Sequence, residues 1–199
     1  MMLKIGVTGG IGSGKSTICR IFETLGIPVF YADAVAKKIM LTDHLLVSGV
    51  KAAFGQESYF EDGRLNNKHI AEIVFNNDNE LQKLNQLVHP AVFRAFDSWV
   101  EELNPHTPYV LKEAALLFES GSYLMCDKSI LVTAPAALKM ERVVKRDQVT
   151  PDQVKARMDK QFTDERKMEL ADYLINNDEQ NSLIIQVLEL HHLFLKLTQ

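Results

Sequence analysis

The sequence predicts an α/β protein whose five strands form a parallel sheet between helical layers, and three observations carry that prediction. Five short apolar runs of strand character, at residues 3–8, 27–31, 109–113, 128–133 and 173–177, alternate with stretches whose apolar residues recur at helical spacing. The first run leads directly into Gly9-Gly10-Ile11-Gly12-Ser13-Gly14-Lys15-Ser16-Thr17, which fits G-x-x-x-x-G-K-[ST] over residues 9–16. Finally, 199 residues, 46% hydrophobic and 24% charged, can bury a real core and suit one domain with appendages.

The glycine-rich stretch reads as a P-loop, against the alternative of a Gly-rich β-to-α turn that binds nothing, because of what flanks it. A strand precedes it, and Ile18, Ile21, Phe22 and Leu25 follow at helical spacing. Glycines let successive backbone N–H groups curl toward phosphate oxygens, and the helix adds the positive end of its dipole. Lys15 then reaches the β- and γ-phosphates, and the Ser16 hydroxyl serves Mg²⁺. The first helix closes at Gly26, and Pro28 blocks its continuation before strand two. That strand delivers Ala32-Asp33 to the edge where parallel strands gather their carboxyl ends, so Asp33 is expected near the phosphates. A carboxylate there can take a proton from an attacking hydroxyl or orient it; the alternative is that Asp33 caps a helix over residues 34–40.

Residues 43–103 read as helical. Asp43, Asn66 and Asp78 are the expected caps, and Pro90 is expected at the first position of a further helix carrying Phe93, Phe96, Val100 and Leu103. Sixty residues of helix exceed an ordinary crossover, which marks an insert suited to a second substrate. His89 is a candidate contact to that substrate, with a buried or capping histidine as the alternative. Strand three ends at Glu113, either a carboxylate on the metal side or a surface charge. Beyond strand four, a helix with Arg142 and Arg146 on one face meets a capping box of Thr150 and Gln153 with Pro151 at N1, followed by Arg157. Helix, turn, helix with basic residues here suits a kinase lid, against a solvated hairpin. The last strand ends in Asn176-Asn177, and a helix capped near Ser182 is expected to pack through Ile184, Ile185, Leu188, Leu193 and Leu195. His191 and His192 are adjacent and point apart, which favours a surface position over a metal site.

Composition limits the partners. A net charge of −4 supplies no global basic field for nucleic acid or anionic membrane, so polyphosphate must be held locally. The start Met-Met-Leu-Lys lacks the features of a signal peptide, and Cys19 and Cys126 lack CxxC spacing, so a cytoplasmic location is expected. Cys19 reads as a core filler.

Taken together, Thr8 through Thr17, Ala32-Asp33, Asp62-Gly63 with Leu65, Leu84-Asn85 with Leu87, His89 and Pro90, Leu116-Leu117-Phe118-Glu119, Arg142 with Arg146-Asp147, and Ala171-Asp172 with Ile175 and Asn177 resemble the dephospho-CoA kinase family over essentially the whole chain. The resemblance implies a P-loop NTPase core at residues 1–33, 104–135 and 163–199, a CoA-substrate-binding insert at 34–103 and a lid at 136–162. It implies ATP and Mg²⁺ as cofactors, dephospho-CoA as the small-molecule partner, no nucleic acid, no membrane, and a monomer or weak homo-oligomer. By position, Thr8 and Asp33 face the acceptor, Gly12, Ser13, Gly14, Lys15, Ser16 and Thr17 the ATP phosphates, Arg142 and Arg146 the lid side, and Asn176 and Asn177 the adenine. The sequence departs from the family at Tyr31, often Asp; at Ala115, commonly Pro; and at Asn67, commonly Arg, with Lys68 next to it.

A P-loop GTPase switch shares the loop but needs N-K-x-D and D-x-x-G. Asn67-Lys68-His69-Ile70 lacks the Asp, and D-x-x-G does not occur. Another small-molecule or nucleotide kinase is the remaining alternative.

Overall fold

Alternating strands and helices produce one sheet from β1 (Leu3–Thr8), β2 (Val29–Tyr31), β3 (Tyr109–Glu113), β4 (Lys128–Thr133) and β5 (Tyr173–Asn176). The computed structural model describes residues 2–75 and 77–198. Strand order is β2-β3-β1-β4-β5, and every pair is parallel. The helices are α1 (Lys15–Thr24), α2 (Ala32–Thr42), α3 (His44–Phe54), α4 (Asn67–Val74), α5 (Asp78–Glu101), α6 (Ala136–Asp147), α7 (Pro151–Met158), α8 (Asp164–Leu170) and α9 (Leu183–Leu197). Central β1 has β3 and β2 on one side and β4 and β5 on the other, a reversal that leaves a crevice at the strand carboxyl ends. Register sets Val7 opposite Glu113 and Thr8 opposite Leu131, so the turn after Thr8 opens there.

The chain divides into two compact units, one of residues up to Tyr31 and from Leu103 onward, the other Ala32–Glu102. In the first, strand residues Ile5, Val7, Leu111, Ile130, Val132 and Ile175 pack with Ile18, Cys19 and Phe22 of α1 and Val187 and Phe194 of α9. Each such burial is worth about 1.5–3 kcal/mol, so this layer dominates the unit's stability. On the opposite sheet face, Gly6 leaves room for Leu117 and Cys126, where an added Cβ would lie 2.6 Å from the Leu117 side chain.

Strand two is shorter than expected, because Ile27 donates its N–H to Phe22 of the preceding turn and pairing with β3 starts beyond Pro28. The C-terminal helix also differs in rotation. Val187 and Phe194 are buried with Leu183 and Leu190 beside them, whereas Ile184, Ile185 and Leu193 are exposed. Apolar residues occur nearly all round this helix, so periodicity alone does not pick its inner face. Gln186 settles it by accepting from Asn176 N (2.8 Å) and donating to Asn176 O (3.0 Å). That bond pair turns the Leu183–Val187–Leu190–Phe194 stripe inward. His191 is correspondingly half-buried, with Nδ1 2.6 Å from the Tyr109 hydroxyl, rather than on the surface.

In the second unit, Met40, Leu46, Val50, Phe54, Tyr59, Ile70 and Ala91 form a separate core. Asp43 caps α3 and Asn66 caps α4 through side-chain oxygens that accept from Leu46 N and His69 N. Asn77, not Asp78, caps α5. Pro90 does not begin a helix, since α5 runs through it as one helix of 24 residues. An interior proline costs about 3 kcal/mol. Burial of Ala91, Val92 and Phe96 after it, with Leu84, Leu87 and Val88 packed on the core before it, outweighs that cost.

Candidate active site

The P-loop owes its path to glycines at positive φ. Gly12 (φ 80°) and Gly14 (φ 98°) take up left-handed backbone, and a Cβ on either would strike the Lys139 carbonyl or the Asn177 amide respectively. Gly14 also starts α1, which has no side-chain cap and no acidic residue in its first turn. An uncapped ten-residue helix facing a curled loop is an anion cradle. The Lys15 ammonium bends back over it, donating to Gly9 O (3.0 Å) and Gly10 O (3.4 Å). Ser16 and Thr17 are exposed at the helix start, while Ser13 is buried. Thr8, at the end of β1, is fully buried and its Oγ1 has no hydrogen-bond partner, as is true of Ser13 Oγ. Buried hydroxyls are normally satisfied, so these two, at the end of β1 and in the loop, stand out.

Glu113 ends β3 beside Val7 and is buried, which removes the surface-charge alternative. Its charge is felt in α1: burial first, then Glu113 and Glu23, push the Cys19 thiol well above its ordinary range. Cys19 is therefore the inert core filler expected. Burial, reinforced by a hydrogen bond that the phenol donates to Glu23, likewise raises the Tyr31 phenol.

The end of β5 is tied to the loop. Asn177 Nδ2 donates to Ser13 O (2.8 Å) and Asn177 N to Thr133 O (2.8 Å), while Thr133 Oγ1 donates to Asn176 Oδ1 (2.9 Å). Both asparagines thus have structural bonds at the site. Arg142 of α6 joins them, its guanidinium donating to Asn177 O (3.3 Å) and pairing with Glu179 at 2.9 Å. Arg146 does not share that partner; it pairs with Asp147 at 2.7 Å, as Arg157 does at 3.0 Å. The Thr150–Gln153 capping box with Pro151 at N1 is formed.

Several ties here have no sequence signature, apart from Glu119 in the Leu116-Leu117-Phe118-Glu119 segment. Gln161 accepts from Ile11 N (2.9 Å) and donates to Ala115 O (3.3 Å). Buried Lys139 pairs with Asp164 (2.6 Å) against Gly10. Glu119 accepts from Phe162 N (2.8 Å) and pairs with fully buried Lys167 (3.0 Å). Removing one member of such a buried pair costs about 3–5 kcal/mol. Asp172 is also structural: burial alone would raise its carboxyl, but Lys128 and Ser129, through side chain and backbone N–H, hold it below the usual range.

Two sequence candidates belong to the second unit. Asp33 is exposed in the first turn of α2, two residues past the end of β2. It is not an N-cap, because α2 starts directly at Ala32, a strong helix former whose side chain is buried. His89 is half-buried on α5 with its ring stacked on Phe93 (6.3 Å). Lys68, beside Asn67, lies within 3.9 Å of Glu72 at the surface.

Among the described residues, no helix is long and apolar enough to cross a membrane. Residues 3–182 match the family model described as CoaE: Dephospho-CoA kinase. The chain is 42% identical over 178 residues to a dephospho-CoA kinase of Salinibacter ruber, covering 89% of each. Among solved structures, TT1252 from Thermus thermophilus aligns with a TM-score of 0.85 at 30% identity over 96% of this chain and 97% of that one. A dephospho-CoA kinase from Campylobacter jejuni aligns at 0.72 and 28% identity over 100% of both.

Proposed function

This chain belongs to the dephospho-CoA kinase family, and we propose on that premise that its P-loop holds the ATP phosphates while Asp33 receives the proton of the attacking hydroxyl. The reaction is transfer of the γ-phosphoryl group of ATP to the ribose 3′-hydroxyl of dephospho-CoA, giving coenzyme A and ADP. A bond forms between the 3′-oxygen and the γ-phosphorus, the bond from that phosphorus to the β–γ bridging oxygen breaks, and the hydroxyl proton passes to a carboxylate.

The observation that carries the reading is the loop of Gly9–Gly14 closing on an uncapped α1 with Lys15 bent over it. Gly12, Ser13, Gly14, Lys15, Ser16 and Thr17 cradle the phosphates, and the Lys15 ammonium swings from the Gly9 and Gly10 carbonyls to the negative charge it prefers. Catalysis is then mostly positioning and charge stabilisation. Thr8, with its unsatisfied buried hydroxyl, meets the acceptor side, as do Asp33 and His89. Asn176 and Asn177 border the adenine. Arg142 and Arg146 belong to a lid over residues 136–162, and residues 34–103 serve dephospho-CoA.

An ion arriving with nucleotide phosphates needs only one or two protein oxygens. The Ser16 hydroxyl and the Glu113 carboxylate fit that small set, and among the described residues no cluster of three His, Cys, Asp or Glu forms a site by itself. Mg²⁺ held by these two residues would neutralise charge on the phosphates.

Asp33→Asn tests the proton acceptor. The side chain is exposed, so the fold survives. With the base gone, kcat is expected to fall about 10²–10⁴-fold while ATP affinity stays within a few-fold. An intact kcat would remove Asp33 from the chemistry.

A further inference from the structure

We propose that Gln161 is a positioning residue for ATP, holding the leading half of the P-loop in its binding shape from outside the loop; this rests on the loop being the phosphate site. Within the loop, Ser13 N bonds Gly10 O and Lys15 bonds Gly9 O and Gly10 O, contacts that do not include Ile11. Gly9, Gly10, Gly12 and Gly14 have no side chains to pack, and glycine loses more conformational freedom on ordering than any other residue. Rigidity at Ile11 must come from neighbours, and an already ordered loop binds its ligand without that loss.

The neighbours are specific. Gln161 Oε1 accepts from Ile11 N at 2.9 Å, and Nε2 donates to Ala115 O at 3.3 Å, just beyond β3. One carboxamide thus ties the loop to the chain emerging from the adjacent strand, and both of its ends are used. A flipped amide would set donor against donor and oxygen against oxygen, so the orientation is unique. Ile11 precedes the Gly12–Thr17 run assigned to the phosphates, so this contact supports the cradle without occupying it.

Gln161 is itself fixed from both sides. Its N–H donates to Met158 O at the end of α7 (2.9 Å), the next residue's N–H donates to Glu119 (2.8 Å), and Glu119 pairs with buried Lys167 (3.0 Å). The glycines flanking Ile11 meet the same support. Gly10 faces the Lys139–Asp164 pair, with Lys139 Nζ 3.3 Å and Asp164 Oδ1 3.4 Å from where its Cβ would stand, and Gly12 lies against the Lys139 carbonyl. The segment returning from α7 therefore braces the loop rather than merely leaving the lid.

The test is Gln161→Met, which keeps length and loses both bonds, and Gln161→Glu, which keeps an acceptor for Ile11 but has no donor for Ala115. Amide hydrogen exchange at Ile11 in the ligand-free protein is expected to speed up by about three- to tenfold in Gln161→Met, the worth of one net hydrogen bond, and less in Gln161→Glu. Exchange in β1 should not change. In the methionine variant KM for ATP should rise by a similar factor while KM for dephospho-CoA does not, a split that general loosening of the fold would not produce. Unaltered Ile11 exchange in both variants overturns the proposal. So does faster exchange with an unaltered KM for ATP in a protein whose Lys15→Met variant is inactive. A fully active Lys15→Met variant would instead remove the phosphate-site reading on which the proposal rests.

Discussion

At the scale of single residues, the loop was legible because its chemistry fixes spacing: glycines where the backbone must be left-handed, then Lys and Ser at the helix start. The residues that hold it were not. Gln161, Lys139 and Asp164 reach the loop from far along the chain, Gln161 from 150 positions away, through contacts that leave no local pattern, while Asn177, singled out for the adenine, also holds Ser13. Asp172 shows the converse: a position that the family resemblance singled out lies between Lys128 and Ser129 and joins β5 to β4. Arg142 and Arg146 looked equivalent by helical spacing, yet they differ in partners. Arg142 is mostly covered and bound to Asn177 and Glu179; the Arg146 side chain is 63% exposed beside Asp147. Arg142→Ala is therefore expected to lower turnover and also to destabilise by about 1–2 kcal/mol, since it strips hydrogen bonds from the asparagine that anchors Ser13. Arg146→Ala should change stability by less than about 0.5 kcal/mol while lowering turnover. Thermal melts beside steady-state rates check both, and an Arg142→Ala protein with wild-type stability and rate would contradict the assignment.

At the scale of elements, strands were read within a residue or two, and helix starts were found wherever Asp43, Asn66, Thr150 or Ser182 offered an oxygen to an orphan N–H. Errors came where packing overrules a local preference. Pro90 signals a helix start in sequence, but the buried residues on both sides keep α5 continuous. The rotation of α9 depended on Gln186 and on the bond between Tyr109 and His191, neither visible in periodicity. That bond gives α9 a pH dependence. Burial, with His192 adding, lowers the His191 pKa below its ordinary value, and burial raises that of Tyr109, so a neutral imidazole is hydrogen-bonded to a phenol that stays protonated. A histidine depressed in the folded state contributes stability that is fully present above about pH 6.5 and is lost as pH falls through the folded value. Between pH 7.5 and 5, the wild type should therefore lose about 1–3 °C more in Tm than His191→Gln, whose amide cannot ionise. Identical pH slopes in calorimetry would show that α9 does not sense this proton.

At the scale of the whole molecule, alternating strands and helices were enough for a parallel α/β sheet, because parallel strands require crossovers. Strand order was not legible, since β2-β3-β1-β4-β5 depends on which edges meet in space. The helical stretch between β2 and β3 was legible as too long for a crossover, and it folds as a compact unit with a core of its own. Such an investment suits an acceptor with distant parts to hold. Dephospho-CoA has an adenosine and a long pantetheine arm, so contacts far from the reacting hydroxyl can align it for transfer. The most direct measurement is ADP release with ATP and Mg²⁺ across four acceptors: dephospho-CoA, adenosine, AMP and shikimate. Dephospho-CoA should be favoured in kcat/KM by at least about 10²-fold, the effect of about 2.7 kcal/mol of transition-state binding. Strong turnover of AMP or shikimate, with none of dephospho-CoA, would contradict the account.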